Sequence, residues 1–87
     1  SMHYQEILGP GGEAEKLAEA GNIFGVVSKV YNAWQWEDGL PSDAEQRTRE
    51  ILAMANKNRR KGRYPELKID IPFVIWSLKW SLKRRHR

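Results

Sequence analysis

The sequence predicts a mainly α-helical domain, a small bundle of four to five short helices, with a C-terminal arm made of a strand and a helix, or of a β-hairpin. Three observations predict this class. Apolar residues recur at helical spacing in three segments between residues 13 and 55. Turns containing glycine separate these segments, and the pattern alternates as in a strand only after Pro65. With 87 residues, the chain has room for one small hydrophobic core.

The first two helices are predicted from the turn residues that bound them and from the spacing of their apolar residues. Residues 4–8 can form one or two helical turns before the break at residues 9–12, which read Gly-Pro-Gly-Gly. Residues 13–20 have apolar side chains at i, i+3 and i+4 among good helix formers. Gly21 and Asn22 both tolerate the left-handed conformation of a helix C-terminus, so we expect them to end this helix.

The third helix is predicted over residues 28–36, with Ser28 as its N-cap. Val30, Ala33 and Trp34 stand at i, i+3 and i+4, which is helical spacing. We expect Trp34 and Trp36 to pack in the core, since a large aromatic ring at this spacing usually fixes a helix against its neighbours.

A capped helix follows a turn at residues 37–41. Ser42 and Glu45 have the spacing of a capping box, in which each side chain satisfies a backbone N–H at the helix start. Glu45 and Arg49 form an i, i+4 pair in the favourable order. The helix is expected to fade near residues 55–58.

The C-terminal arm permits two interpretations. Residues 66–71 alternate between polar and apolar, which favours a short strand. Residues 76–83 alternate as well. However, Pro72 suits the first turn of a helix, and no Gly or Asn lies between residues 71 and 74 to close a hairpin. We favour a helix there. Either form exposes Trp and Leu side chains, so we expect a dimer surface in this arm.

Charge is distributed very unevenly along the chain. Residues 1–56 hold four Lys or Arg against nine Asp or Glu, a balance of −5, and residues 57–87 hold eleven against two, a balance of +9, which together give the net charge of +4. So basic a segment is typical of chains that bind a polyanion, usually nucleic acid. The alternative is a solvated tail that only keeps the protein soluble.

The helix pair at residues 13–20 and 28–36, joined by a turn with glycine, indicates a helix-turn-helix unit, whose second helix enters the major groove of DNA. Polar side chains on that helix are the candidates for base contacts, because Asn and Gln can bond adenine and Lys can reach guanine. They are Ser28, Lys29, Asn32 and Gln35. The candidates for phosphate contacts are Arg59, Arg60, Lys61 and Arg63.

At these positions the chain resembles the Cro-like and YdaS-like helix-turn-helix regulators of phages and prophages. The matching pieces are GGEAEKLA at 11–18, FG at 24–25, VYNAWQW at 30–36 and GLP at 39–41. The resemblance implies a recognition helix at about 27–36 in the major groove, a homodimer on a palindromic double-stranded DNA operator, and a cytoplasmic, nucleoid-associated protein in a bacterial host. The expected core of the motif is Leu17, Ala18, Val30, Trp34 and Leu40. The link between the two helices is about three residues longer than is usual in the family.

The chain therefore divides into a helix-turn-helix domain at residues 1–58 and a basic, Trp-rich dimerisation arm at 59–87. Two alternatives remain open: a protein-interaction module, such as a phage-encoded inhibitor or adaptor, and a tail that binds RNA or a membrane surface.

No catalytic or metal-binding set is found in the sequence. The chain lacks Cys, and its two His residues lie near opposite ends without a second ligand at metal spacing. We expect no enzyme activity, no metal and no cofactor. No apolar run reaches the roughly 18–20 residues of a membrane span, so we expect no membrane partner.

Overall fold

A computed structural model describes residues 2–35 and 40–85, and within these ranges the protein is a bundle of five α-helices without a strand. A short 3₁₀ helix, Arg59–Lys61, continues α4. The prediction of a mainly α-helical bundle is confirmed. The helices are α1 (Met2–Leu8), α2 (Glu13–Glu19), α3 (Ile23–Gln35), α4 (Ala44–Asn58) and α5 (Ile71–Arg85).

The start of α3 differs from the prediction. The helix begins at Ile23, five residues before Ser28, because Asn22 caps it: the Asn22 Oδ1 atom accepts the backbone N–H of Gly25 at 2.9 Å. Ile23 and Val26 are buried and extend the apolar stripe toward the N-terminus. Ser28 is therefore an exposed residue in the middle of α3, and its predicted role as N-cap is wrong.

The link between α2 and α3 is consequently short. Only residues 20–22 separate the two helices, and Gly21 has a positive φ of 69°. A three-residue turn with a left-handed glycine is the connection expected in a helix-turn-helix unit. The longer link inferred from the family resemblance is wrong, because the residues assigned to it form the first turn of α3.

The capping box predicted at the start of α4 does not form. The N-cap position is held by Asp43, without a hydrogen bond from its side chain, and Ser42 is exposed. Glu45 instead contacts Arg49 on the same helix and Lys79 of α5, whose Nζ lies 2.6 Å away. These two hydrogen bonds lower the pKa of Glu45. The carboxylate thus joins α4 to α5 rather than capping its own helix.

The predicted strand at residues 66–71 is also wrong. Residues 67–70 have no regular structure, and the backbone of Ile69 is bonded at both polar atoms by the side chain of Asn56. The Ile69 N–H donates to Asn56 Oδ1 at 2.7 Å, and Asn56 Nδ2 donates to the Ile69 carbonyl at 3.0 Å. One alternating segment without a partner strand cannot build a sheet, so a side-chain amide from α4 takes the place of a neighbouring strand.

The last segment is a helix, as favoured, and the β-hairpin alternative is wrong. Asp70 begins it: the Asp70 Oδ1 atom accepts the N–H of Phe73 at 3.0 Å, and the N–H of Val74 donates to the Asp70 carbonyl. Val74, Ile75 and Leu78 bury one side of α5 against the bundle. Alternation in the sequence therefore hid a helix that is apolar on two opposite sides.

A buried polar chain fixes α3 against α4. The indole N–H of Trp34 donates to Thr48 Oγ1 at 2.9 Å, and the Thr48 hydroxyl donates to the Ala44 carbonyl at 2.8 Å. Trp34 is 5% exposed and Thr48 is fully buried. Both donors of this pair, the Trp34 N–H and the Thr48 hydroxyl, have an acceptor. The contact therefore orients α3 without leaving either group unpaired.

We expect Thr48→Val to lower the free energy of unfolding by about 1–3 kcal/mol, since it leaves the Trp34 N–H buried without an acceptor. Thr48→Ser keeps the hydroxyl and loses one methyl group, worth about 0.8 kcal/mol. Urea denaturation followed by circular dichroism measures both. A Thr48→Val protein as stable as the unmodified chain would contradict this role.

Candidate nucleic-acid interface

One side of α3 faces solvent over the whole length of the helix. Its exposed residues follow a spacing of four, four and three, which places them in a single stripe. The helix has 13 residues and is about 20 Å long. We call this surface the α3 stripe; it consists of Phe24, Ser28, Asn32 and Gln35.

Three of the four predicted base-contact residues belong to the α3 stripe: Ser28, Asn32 and Gln35. Asn32 has a neighbour from α1, since the Nε2 atom of His3 lies 3.2 Å from its Oδ1. The Nδ2 group of Asn32 has no partner among the described residues in this arrangement, so the amide keeps its donors for a ligand.

Lys29 lies beside the stripe on the side facing α2. Its Nζ is 3.0 Å from the Glu13 carboxylate, and both side chains are well exposed, at 39% and 55%. An ion pair this exposed is screened by solvent and contributes little to stability. Lys29 can therefore exchange Glu13 for another anion. Without a ligand, the Glu13 carboxylate balances its charge.

The basic connector, residues 57–64, lies against the N-terminal end of α3. Gly21, in the turn before α3, packs against the backbone of this region: a Cβ on Gly21 would lie 2.1 Å from the Asn58 carbonyl oxygen and 3.1 Å from the Gly62 nitrogen. A Cβ on Gly62 would in turn lie 2.1 Å from the Gly21 carbonyl oxygen. The ring of Phe24 contacts Tyr64 edge-on, with centroids 5.2 Å apart, and the Arg63 guanidinium lies 5.7 Å from the Tyr64 centroid. The bundle thus brings the predicted phosphate-contact segment beside the candidate recognition helix.

The four predicted phosphate contacts are not equivalent. Arg60, Lys61 and Arg63 are exposed, whereas Arg59 is half-buried and donates from Nη1 to the Asn56 carbonyl at 2.9 Å. Arg59 therefore closes the C-terminal end of α4, with only part of its guanidinium available to a ligand.

The C-terminal end of α3 meets α5. The Tyr31 hydroxyl hydrogen-bonds the Ser77 hydroxyl, and a cleft of about 340 Å³ separates the two helix ends. Tyr31, Gln35 and Arg84 are among the residues that line it. α3 thus has cationic side chains near both ends, from the connector at one and from α5 at the other.

The five residues expected to form the core of the motif are buried to different degrees. Ala18 and Val30 are fully buried and Trp34 nearly so, while Leu17 and Leu40 are half-buried and pack against the core. Trp36, predicted to lie in the core, falls outside the described residues.

Sequence analysis missed the aromatic contributions to this surface. Phe24, 58% exposed, lay between the two predicted helices at 13–20 and 28–36, and Tyr64 lay before the predicted strand, outside any predicted element. The signal for Phe24 was available in Gly21-Asn22, which can start a helix as well as end one. Nothing in the sequence pattern pairs Phe24 with Tyr64, 40 residues further along.

The other displaced pKa in the described part lies away from α3. Burial raises the pKa of Tyr4, the nearby Asp43 carboxylate raises it further, and Arg47 opposes both. No group of three His, Cys, Asp or Glu residues that could hold a metal occurs in the described ranges. No described helix is both long and apolar enough to cross a membrane.

No protein-family model, curated protein or solved structure significantly matches this chain. Function is therefore inferred from the geometry of α3 and its surroundings.

Proposed function

We propose that this protein binds double-stranded DNA in a sequence-specific manner, with α3 as the recognition helix, and acts as a transcriptional regulator of the Cro-like phage type. The observation that supports this most is the α3 stripe, an exposed polar helix face with cationic segments near both of its ends. An α-helix fits the major groove, about 12 Å wide, and phosphate backbones border that groove on both sides.

Each residue of the α3 stripe has a chemistry suited to a base edge. Asn32 and Gln35 can each form two hydrogen bonds with adenine, Ser28 can bond to several bases, and Phe24 can pack on a thymine methyl group. Lys29, released from Glu13, can reach guanine. Because α3 begins at Ile23, the residue nearest its N-terminus in this stripe is Phe24.

Phosphate contacts come from the connector. Arg60, Lys61 and Arg63 are exposed beside the start of α3 and set affinity and register, not sequence choice. The cations of the C-terminal part of α5 provide a second anchor. The Glu13 carboxylate of α2, 3.0 Å from Lys29 Nζ, places a negative charge beside the proposed interface.

The experiment is selection from random double-stranded DNA, followed by titration of the enriched site at several salt concentrations. We expect an enriched sequence and a steep loss of affinity with salt. Asn32→Ala should lower the preference for that sequence by about 1–3 kcal/mol at one base pair. Gln46→Ala removes an equally exposed amide from α4 and should change nothing.

A charge variant separates phosphate contacts from base contacts. Arg60→Ala with Lys61→Ala should weaken binding to all sequences alike and reduce the slope of log affinity against log salt by roughly two. Lys16→Ala, an exposed lysine of α2, is the control. If no sequence is enriched and Asn32→Ala has no effect, α3 is not a recognition helix.

The protein-interaction module is the second candidate, and one observation favours it. The largest exposed apolar side chains of the described chain lie on α5 rather than on α3. Failure to bind DNA, with the fold intact, would make this surface the functional one.

A further inference from the structure

α5 displays an aromatic face to solvent, which we define as Phe73, Trp76 and Trp80. These side chains are 58%, 59% and 49% exposed. Their rings stack in series, with centroids 6.0 Å apart between Phe73 and Trp76 and 6.4 Å apart between Trp76 and Trp80. The face lies on the side of α5 opposite the buried Val74, Ile75 and Leu78.

The stacking limits what the aromatic face can bind. Each ring covers part of its neighbour, and the Arg84 guanidinium lies 5.1 Å from the Trp80 centroid. A surface that binds single-stranded nucleic acid offers free ring faces to successive bases. Here the rings stack on one another and on Arg84, which leaves fewer free ring faces for bases and suits packing against another apolar helix.

The distribution of charge along α5 indicates which helix packs on the aromatic face. Asp70, Ser77 and Arg84 are seven residues apart, so they lie along one edge of the aromatic face, with a carboxylate at one end and a cation at the other. We propose that a second copy of this chain docks on the aromatic face with its α5 antiparallel. Arg84 of each copy then lies beside Asp70 of the other, whereas in a parallel twofold pair the two edges lie on opposite sides and no Asp70 meets an Arg84.

This arrangement determines where the α3 helices lie. Ser77 contacts Tyr31, so the edge with Asp70 and Arg84 is the edge that faces α3. When two helices pack face to face and antiparallel, the twofold axis that relates them lies in the plane of the interface and is perpendicular to both helices. It keeps the α3 edges of both copies on the same side. Self-association does not depend on the proposed function, but it would present two recognition helices to one DNA duplex.

The interface is small. Complete burial of a Phe or Trp side chain removes about 150–250 Å² from solvent, so three half-exposed rings offer on the order of 300 Å² per copy. Stable complexes bury about 1,200–2,000 Å² in total. The paired copies remain below that range even with the flanking residues, so we expect a weak dimer that forms only as the protein concentration rises.

Sedimentation velocity of the full chain, without DNA, tests the proposal between about 1 and 200 μM. The unmodified chain should shift from monomer to dimer across this range, and Trp76→Glu should remain monomeric at the highest concentration. Phe24→Glu, which changes an equally exposed aromatic residue on α3, should dimerise like the unmodified chain. Circular dichroism checks that both variants keep their helices. An unmodified chain that is monomeric throughout, or a Trp76→Glu chain that dimerises, would overturn the proposal.

Asp70→Asn tests the antiparallel arrangement. Asparagine keeps the oxygen that caps the N–H of Phe73, so α5 retains its start while the charge is lost. In an antiparallel pair the variant loses two attractions to Arg84 and should dimerise several-fold more weakly. In a parallel pair Asp70 has no Arg84 partner, so the variant would dimerise as tightly as the unmodified chain, which would refute the arrangement. Because no DNA is present, the result is independent of whether α3 binds DNA.

Discussion

Replacing Gly21 by alanine is expected to lower the free energy of unfolding by about 3–5 kcal/mol. Gly21 has a φ of 69°, and a Cβ there would lie 2.1 Å from the Asn58 carbonyl oxygen and 3.1 Å from the Gly62 backbone nitrogen. Both obstacles are backbone atoms of a neighbouring element, which no change of side-chain rotamer can move. The turn between α2 and α3 would have to separate from the end of α4.

Gly11→Ala is the matched control. Gly11 has the same φ of 69°, but nothing lies within 4 Å of the position that its Cβ would take. It should therefore cost only the conformational strain, about 1 kcal/mol. Urea denaturation of both variants measures the difference. Equal losses of stability would show that the close contact of Gly21 with Asn58 and Gly62 does not affect the free energy of unfolding.

The Gly21 variant also bears on DNA binding. The contact between Gly21 and Gly62 holds the basic connector beside the start of α3. Once the two segments separate, the phosphate contacts lose their fixed position relative to the recognition helix. We expect Gly21→Ala to lose affinity for the selected DNA site even where the bundle stays folded, while Gly11→Ala retains it.

Arg47→Leu is expected to destabilise the bundle by about 2–3 kcal/mol. The Arg47 guanidinium donates to the Leu8 carbonyl at 2.7 Å, lies 3.2 Å from the Glu15 carboxylate, and is only 21% exposed. Leu8 and Gly9 are buried, so the carbonyls at the end of α1 have no access to water. Leucine fills part of the space but leaves the Leu8 carbonyl without its donor. It also removes the positive charge beside Glu15, whose carboxylate then keeps only the N–H of Gly11.

Arg49→Leu provides the comparison on the same helix. Arg49 is 44% exposed and pairs with Glu45 at the surface, where solvent screening weakens an ion pair, so we expect Arg49→Leu to cost much less stability than Arg47→Leu. Arg47→Lys should fall between the two, since an ammonium group can reach one carbonyl but lacks the forked geometry that serves Leu8 and Glu15 together. Thermal and urea denaturation check the order. If Arg47→Leu and Arg49→Leu proved equal, the buried donor role of Arg47 would be refuted.

Local signals predicted most of α2 and α4. In both, good helix formers, apolar spacing and adjacent turn residues agree, and each helix ends within a few residues of its predicted boundary. The start of α3 was misplaced because Gly21 and Asn22 suit the end of one helix and the start of the next equally well. Ile23 and Val26, which are buried and continue the apolar side of α3, were therefore assigned to the link between the two helices.

The candidate site could be predicted in part. Ser28, Asn32 and Gln35 share a face once the segment is helical, because their spacing alone determines it. The position of the basic connector could not be predicted. It depends on the contact between Gly21 and Gly62, which are 41 residues apart, and no local pattern encodes such a pair.

The sequence by itself determined that residues 13–19, 28–35 and 44–58 are helical, and that the cations collect after residue 56. These properties follow from spacing and composition within a few residues of each position. Only the tertiary structure decided the conformation of the C-terminal arm. Its alternating pattern is shared by a strand and by a helix that is apolar on two sides. The choice depends on partners: no strand lies near Ile69 in the described chain, Asn56 binds its backbone instead, and α3 and α4 offer α5 a surface to cover.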